Sequence, residues 1–158
     1  MADAYNVVCP NCDRVNRIPR DRPAKSARCG ECRERLFPGK ALALDCERFR
    51  RHIGRSEVPI VADFWATWCG PCRAMAPVFE RAAQELEPSA RFIKVDVDAE
   101  PHLAAEFGVR GVPALLVFKD GQVAARQAGA MDFNSLRRFP SLTCDDSWHA
   151  GFEEGRPC

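Results

Sequence analysis

Ile60-Val61-Ala62-Asp63-Phe64-Trp65-Ala66-Thr67-Trp68-Cys69-Gly70-Pro71-Cys72 is the stretch on which the reading of the whole chain turns. The run from Ile60 to Trp65 is too apolar for a strand that faces water, so it reads as a buried strand at the centre of a sheet. Pro59 is tolerated at the first position of such a strand. After Cys69, the side chains Met75, Phe79, Ala82 and Leu86 recur at helical spacing and mark one buried helix face. Cys69 and Cys72 therefore fall at a strand-to-helix turn. There the first thiol lies over a helix N-terminus, whose unpaired N–H groups and partial positive charge favour a thiolate. Pro77, inside the helix, is expected to kink it and set the thiol-bearing first turn apart from the rest.

Outward from this turn, Arg91 to Val97 reads as a second buried strand, so strand, helix and strand form a right-handed parallel crossover. Asp98 to Phe107 is expected as a short helix stopped by Gly108. Ala114 to Lys119 and Gln122 to Gln127 flank Asp120-Gly121, a two-residue hairpin signal. Upstream, Ala41 to Leu44 suits a short strand. Asp45 can cap a helix on which Cys46, Phe49 and Ile53 share a face, which makes Cys46 a packing residue. The fold class is α/β with a mixed sheet.

The chain has 158 residues, of which 46% are hydrophobic, enough for one full domain and a small extra module. Lys plus Arg number 23 and Asp plus Glu 22, so no global preference for polyanions follows. No apolar run approaches the roughly 18 residues of a membrane span, and no basic-then-apolar segment opens the sequence. A cytoplasmic protein is expected. In that setting its nine cysteines point to metal binding or catalysis rather than to structural disulfides.

Residues 1 to 38 hold Cys9-Pro10-Asn11-Cys12 and Cys29-Gly30-Glu31-Cys32 within a polar, Arg-rich stretch of little apolar periodicity. Such a piece is not expected to bury a core by itself. Four thiolates at this spacing can close tetrahedrally on one structural zinc, with Zn–S bonds of about 2.3 Å, and the metal would replace the missing core. Labile disulfides or unliganded thiols remain the alternative, and the spacing matches neither ferredoxin pattern. Gly30 suits the tight turn of a knuckle. Arg14, Arg17, Arg20, Arg22, Lys25, Arg28, Arg33 and Arg35 outnumber the nearby acids. No aromatics are interleaved for base stacking, so a solvated surface offsetting the zinc-tetrathiolate charge is the preferred reading over nucleic-acid binding. Phe37-Pro38-Gly39-Lys40 reads as a linker.

With these residues in place, the chain from about Ala41 to Arg138 resembles the thioredoxin family. The resemblance is carried by Asp-Phe-Trp-Ala-Thr-Trp-Cys-Gly-Pro-Cys at 63 to 72, Gly-Val-Pro at 111 to 113 and Phe-Lys-Asp-Gly at 118 to 121. The segment ahead of it is similar to the N-terminal extension of the zinc-containing bacterial subgroup, the thioredoxin 2 type. The resemblance implies a thioredoxin fold, with a five-stranded mixed sheet flanked by helices, preceded by a small zinc ribbon. The expected organisation is ribbon 1–38, thioredoxin domain 41–140 and a loosely ordered tail 141–158. It also implies protein-disulfide reductase activity, disulfide-containing protein substrates and an NADPH-dependent thioredoxin reductase as electron source.

By position, Cys69 is the expected nucleophile, being less covered, and Cys72 the more buried resolving thiol. Asp63, a carboxyl in a buried strand, should have a raised pKa. The family pattern makes it the general base for Cys72, through water; a strand-end carboxylate bonded to backbone is the alternative. Lys94 matches a lysine that pairs near this carboxylate, or is a strand-edge surface lysine. Val112-Pro113 resembles the family's cis-proline. Trp68, Gly70, Pro71, Val112, Pro113, Gly129 and Ala130 would form a docking surface around Cys69. Trp65 and Phe64 are assigned to packing, and His52, His102 and His149 to the surface.

Asp132 can cap a last helix begun by Phe133, Leu136 and Arg137, which Pro140 should stop within two turns. Without a longer helix, one sheet face could lose several large side chains, unless Trp148 and Phe152 dock back. Cys144 and Cys158 read as free thiols of the tail. The rival to the reductase reading is a zinc-ribbon adaptor that uses a thioredoxin-like domain to bind a protein or nucleic acid.

Overall fold

The computed structural model describes residues 3–141. Residues beyond Ser141, with His149, Trp148, Phe152, Cys144, Cys158 and the expected tail, lie outside them.

Two sheets are present among the described residues. A two-stranded antiparallel ribbon is made of β1 (Ala4–Val8) and β2 (Val15–Pro19). A five-stranded sheet follows, from β3 (Leu42–Ala43), β4 (Ile60–Trp65), β5 (Arg91–Asp96), β6 (Ala114–Lys119) and β7 (Gln122–Ala128), in the order β3-β5-β4-β6-β7. The β3–β5 and β4–β5 pairs are parallel, and the β4–β6 and β6–β7 pairs antiparallel. The strand that leads to the cysteines is the central one. At the β6–β7 hairpin, Asp120 and Gly121 have φ of 53° and 79°, the two left-handed residues that a tight hairpin turn needs.

Side-chain alternation along β4 divides the core. Ile60, Ala62 and Phe64 face α1 (Cys46–Arg55) and α3 (Pro101–Glu106), where Phe49, Leu103 and Phe107 join them. Val61 faces α2 (Gly70–Leu86) and α4 (Phe133–Arg138), among Met75, Phe79 and Leu136. Asp63 shares the parity of Val61 and so lies on the α2 side. Both caps read from sequence are formed: Asp45 accepts from the Arg48 N–H at 2.9 Å and Asp132 from the Ser135 N–H at 2.7 Å. The third helix begins at Pro101 rather than Asp98, with proline in its first turn, because Asp96 to Glu100 are taken up by a turn in which Asp96 accepts from the Asp98 N–H. The last helix is short, as Pro140 requires. Leu136 and Phe139 are nevertheless buried against α2, and Met131 and Phe133 pack beside them, so the α2 face keeps its cover.

The N-terminal segment departs from the sequence expectation. It buries a small core of its own, Val7, Cys9, Ile18, Cys29, Leu36 and Phe37, closed by Val58 from the larger unit. It also docks: the Glu57 N–H donates to Asn6 O at 2.8 Å, the Val8 N–H to Ser56 Oγ at 3.0 Å, and the Asn6 N–H to the Glu57 carboxylate. His52, expected at the surface, is fully buried here with Nε2 3.0 Å from Asp13 Oδ1. The lack of ligand spacing, on which the surface reading rests, says nothing of burial; His52 falls on the buried side of α1 with Cys46, Phe49 and Ile53, and its partner Asp13 comes from the ribbon.

Candidate active site and metal centre

The redox turn is where the sequence places it. Cys69 is the N-cap of α2, and its sulfur accepts from the Cys72 N–H at 3.1 Å. The two are joined as a disulfide, with Cα atoms 5.2 Å apart. Their burial differs less than expected: Cys69 is 4% exposed and Cys72 2%, among Ala66, Trp65, Val97 and Val112. Pro71 occupies the first helical turn, where its missing N–H costs nothing. The helix runs on through Pro77 to Leu86.

Asp63 is 1% exposed, and neither of its carboxylate oxygens has a hydrogen-bond partner among the described residues. Burial pushes its pKa up to about 7, against a smaller lowering by the Lys94 charge. A backbone-bonded carboxylate is therefore not what the structure holds. The parallel register sets Lys94 directly opposite Asp63, and its Nζ lies 4.7 Å from the centroid of the Trp65 ring. Both the lysine and that tryptophan thus border the site.

The rim is formed by Trp68, Val112 and Pro113. Trp68 is the one large apolar side chain left strongly exposed among the described residues, at 68%. Its indole N–H donates to Asp98 Oδ2 at 2.9 Å, which fixes the ring. Asp98, expected from the sequence only as the start of a helix, is thus a residue of the site. Cys69 Sγ lies 3.6 Å from Val112 O, and the Val112–Pro113 peptide is cis. The Gly129 N–H donates to Pro113 O at 2.9 Å, tying the end of β7 to this loop. A cleft of about 310 Å³ adjoins it, with Val112, Pro113 and Gly129 in its wall. Gly70 is exposed at the head of α2.

The four ribbon cysteines come together as their spacing requires. The ligand atoms of Cys9, Cys12, Cys29 and Cys32 all lie within 4.8 Å of one another, with Cys9···Cys32 at 3.6 Å and Cys12···Cys29 at 3.5 Å. Four thiolates tetrahedral on zinc would stand about 3.8 Å apart, so the donor set fits that ion. N–H groups of Asn11, Cys12 and Glu31 point at the sulfurs of Cys9 and Cys29. Motif spacing offers no means to single out Asn16. Its Nδ2 donates to Cys29 Sγ and its Oδ1 accepts from the Gly30 N–H at 2.9 Å, holding the second knuckle. Gly30 lies in the turn of the second knuckle, as expected. The left-handed positions are Asp13 and Arg33, at φ of 65° and 69°, each following the second cysteine of its pair.

Asp13 is also the hinge between ribbon and α1. Its carboxylate takes Arg48 Nε at 2.8 Å and Nη2 at 3.0 Å, and His52 Nε2, while Arg48 also donates to Pro10 O. Burial drives the His52 pKa down to about 4, outweighing the pull of Asp13, so the imidazole is neutral near pH 7. The Asp13 carboxylate, bonded to the Arg48 guanidinium, raises the Arg48 pKa.

Known proteins match along both parts. Residues 40–141 fit the family described as Thioredoxin, and residues 8–34 the one described as Thioredoxin 2, N-terminal. Thioredoxin C-3 of Corynebacterium nephridii is 38% identical over 133 residues, which cover 84% of this chain and 91% of that protein. A thioredoxin of Haemophilus influenzae is 43% identical over 91 residues, covering 58% and 85% respectively. Among solved structures, a mutant thioredoxin from Halobacterium salinarum superposes with a TM-score of 0.61 at 34% identity, covering 67% of this chain and 93% of that one.

Proposed function

The chain belongs to the thioredoxin family and is a thiol-disulfide oxidoreductase; on that premise we propose that it reduces protein disulfides through Cys69 and Cys72, with Asp63 moving the proton. The observation that carries the proposal is the unpartnered Asp63 carboxyl, titrating near neutrality on the α2 side of the strand that leads into the cysteine turn.

In the reduced protein, the Cys69 thiolate attacks one sulfur of a target disulfide. A Cys69–target bond forms, the target S–S bond breaks, and the departing target thiolate takes a proton. Cys69 has the position for this, at the N-cap with the Cys72 N–H directed at its sulfur. Asp63 then accepts the proton of Cys72 through water, and Cys72 attacks Cys69. The second target thiolate leaves and takes the proton held by Asp63, and Cys69–Cys72 closes as a disulfide. Two electrons have passed to the target, with one proton from Cys72 by way of Asp63 and one from solvent. Val112, next to the cysteine sulfur, offers backbone groups to an extended substrate segment, as in strand addition, with Trp68, Gly70, Pro71, Pro113 and Gly129 as its flanks.

An NADPH-dependent thioredoxin reductase is the proposed source of electrons. Cys9, Cys12, Cys29 and Cys32 would hold one zinc, whose part is structural: it cross-links the knuckles and takes no part in exchange. No helix among the described residues is long and apolar enough to cross a membrane. A cytoplasmic location goes with the reading of the four ribbon cysteines as metal ligands rather than as disulfides. The proposed units are a ribbon over 1–38 and a redox domain over 41–140.

NADPH consumption in the presence of thioredoxin reductase and a disulfide-bonded protein tests this reading. Turnover that disappears in Cys69→Ser is expected. An adaptor would give no consumption dependent on Cys69.

A further inference from the structure

Building on the disulfide-reductase reading, we propose that the cleft beside Val112 selects target segments carrying an acidic side chain within a few residues of the cysteine that is attacked. The charged residues lining the cleft are Arg110 and Arg126, and no acid lines it among the described residues. Elsewhere, several arginines are matched to carboxylates: Arg14 to Glu31, Arg48 to Asp13, Arg50 to Glu106, Arg81 to Glu85 and Arg91 to Glu87. Arg110 and Arg126 have no carboxylate partner among the described residues. Cations left uncompensated in a concave wall next to a reactive thiol favour an anionic visitor.

Arg126 is held in place. Its Nη2 donates to Phe107 O at 2.7 Å, and the guanidinium passes over Gly108, where a Cβ would stand 3.4 Å from Nη1 on a backbone of φ +69°. The bare glycine leaves room for the guanidinium, and the carbonyl uses only part of its five-donor fork. The remaining N–H groups are free to take a carboxylate.

The cleft is continuous with the reacting sulfur through Val112, whose carbonyl lies 3.6 Å from Cys69 Sγ. A peptide running along this loop in extended form advances about 3.3 Å per residue. An acid two to four residues from its cysteine therefore falls beside the cleft. At the Trp68 side of the site the charged residue is an acid, Asp98, which receives the indole N–H. The surface around Cys69 is thus polarised, and an acidic segment is favoured in one orientation.

The test uses the full, zinc-loaded, reduced chain and disulfide-linked peptide homodimers. The peptides carry Glu, Gln or Lys at two to four residues before or after the cysteine. Second-order rate constants are read by acid quench and mass spectrometry. On at least one side of the cysteine, the Glu peptide should react about three- to tenfold faster than the Gln peptide, and the Lys peptide more slowly still, the range expected for one or two partly exposed ion pairs. Raising the salt to about 0.5 M should bring the ratio toward one, since the Debye length then falls to about 4 Å. The Glu-to-Gln ratio should also fall in Arg126→Gln and in Arg110→Gln, and be largely kept in Arg126→Lys. Because it is taken within each variant, a fraction of unfolded protein does not distort it. Equal rates for Glu and Gln peptides on both sides, or a preference unmoved by salt and by both Gln variants, would overturn the inference. If no peptide and no protein disulfide is reduced, the exchange reading falls and this one with it; if all are reduced alike, only the acidic preference falls.

Discussion

Arg91, the first residue of β5, donates from Nη2 to the backbone carbonyl of Leu36 at 2.5 Å, although the two stand on opposite sides of the ribbon–domain junction. The same guanidinium pairs with Glu87 at 3.0 Å, lies over the Phe37 ring and is fully buried. Glu87 in turn accepts from the Gly39 N–H at 2.8 Å. One buried ion pair therefore closes the redox unit and receives the end of the ribbon. Burial raises the Glu87 pKa and lowers that of Arg91, in each case against the pull of the partner's charge.

Metal removal should be felt beyond the ribbon. With the knuckles released, the Leu36 carbonyl and the Phe37 ring no longer hold the Arg91 head. Chelation is expected to lower the melting temperature of the whole chain rather than to produce a separate early transition confined to the ribbon. Calorimetry of zinc-loaded and chelated samples decides between these.

Removing one member of the buried pair leaves the other charge uncompensated. Glu87→Gln should cost about 3–5 kcal/mol of stability, read by denaturant unfolding. Arg91→Met with Glu87→Gln together should cost less than the sum of the single changes, because no orphan charge remains.

Asp63 makes the fold less stable as pH rises. Its folded pKa lies near 7, above the ordinary carboxyl value, so the folded chain binds more protons than the unfolded one between about pH 4 and 7. Stability associated with the neutral acid is full below that window and is lost as pH climbs through it. Asp63→Asn should therefore gain little at pH 4 and on the order of 2–4 kcal/mol at pH 8, while slowing resolution of the mixed disulfide and leaving the first attack largely intact. Denaturant curves at the two pH values, with the mixed-disulfide lifetime, check both halves.

His52 works in the opposite sense. Its pKa is depressed to about 4, so the unfolded chain binds more protons between roughly pH 6.5 and 4, and stability falls as pH drops through that range. His52→Gln, which can still donate to Asp13, should remove most of this acid-side slope. Unfolding followed from pH 7 to 4 in the two proteins reads the difference.

Much of the redox unit was legible because local signals and tertiary demands agreed. Ile60–Trp65 and Ala114–Lys119 are strands at the expected bounds, Asp45 and Asp132 cap as read, and Asp63 is the buried carboxyl its apolar neighbours announced. What sequence did not disclose lies at the junction. Arg91 falls in a run read as a buried strand, but neither its pairing with Glu87 nor the contacts of Arg91 and His52 with the ribbon are encoded in spacing, since those partners come from residues far away in the chain or outside the strand. Asn16 and Asp98 escaped for a similar reason: one braces Cys29 and the other Trp68 through contacts that spacing does not encode. The left-handed backbone at Asp13 and Arg33, each just after a knuckle, carries no residue-type signal in the sequence.

Single-turnover trapping tests the central claim most directly. Cys72→Ser, reduced and mixed with a disulfide-bonded protein, should accumulate a covalent complex, and peptide mapping should place its single bridge at Cys69. The unaltered chain under the same conditions should release two target thiols per molecule and end with a Cys69–Cys72 disulfide. A bridge at any ribbon cysteine, or target thiols appearing with Cys69 and Cys72 still reduced, would contradict the assignment.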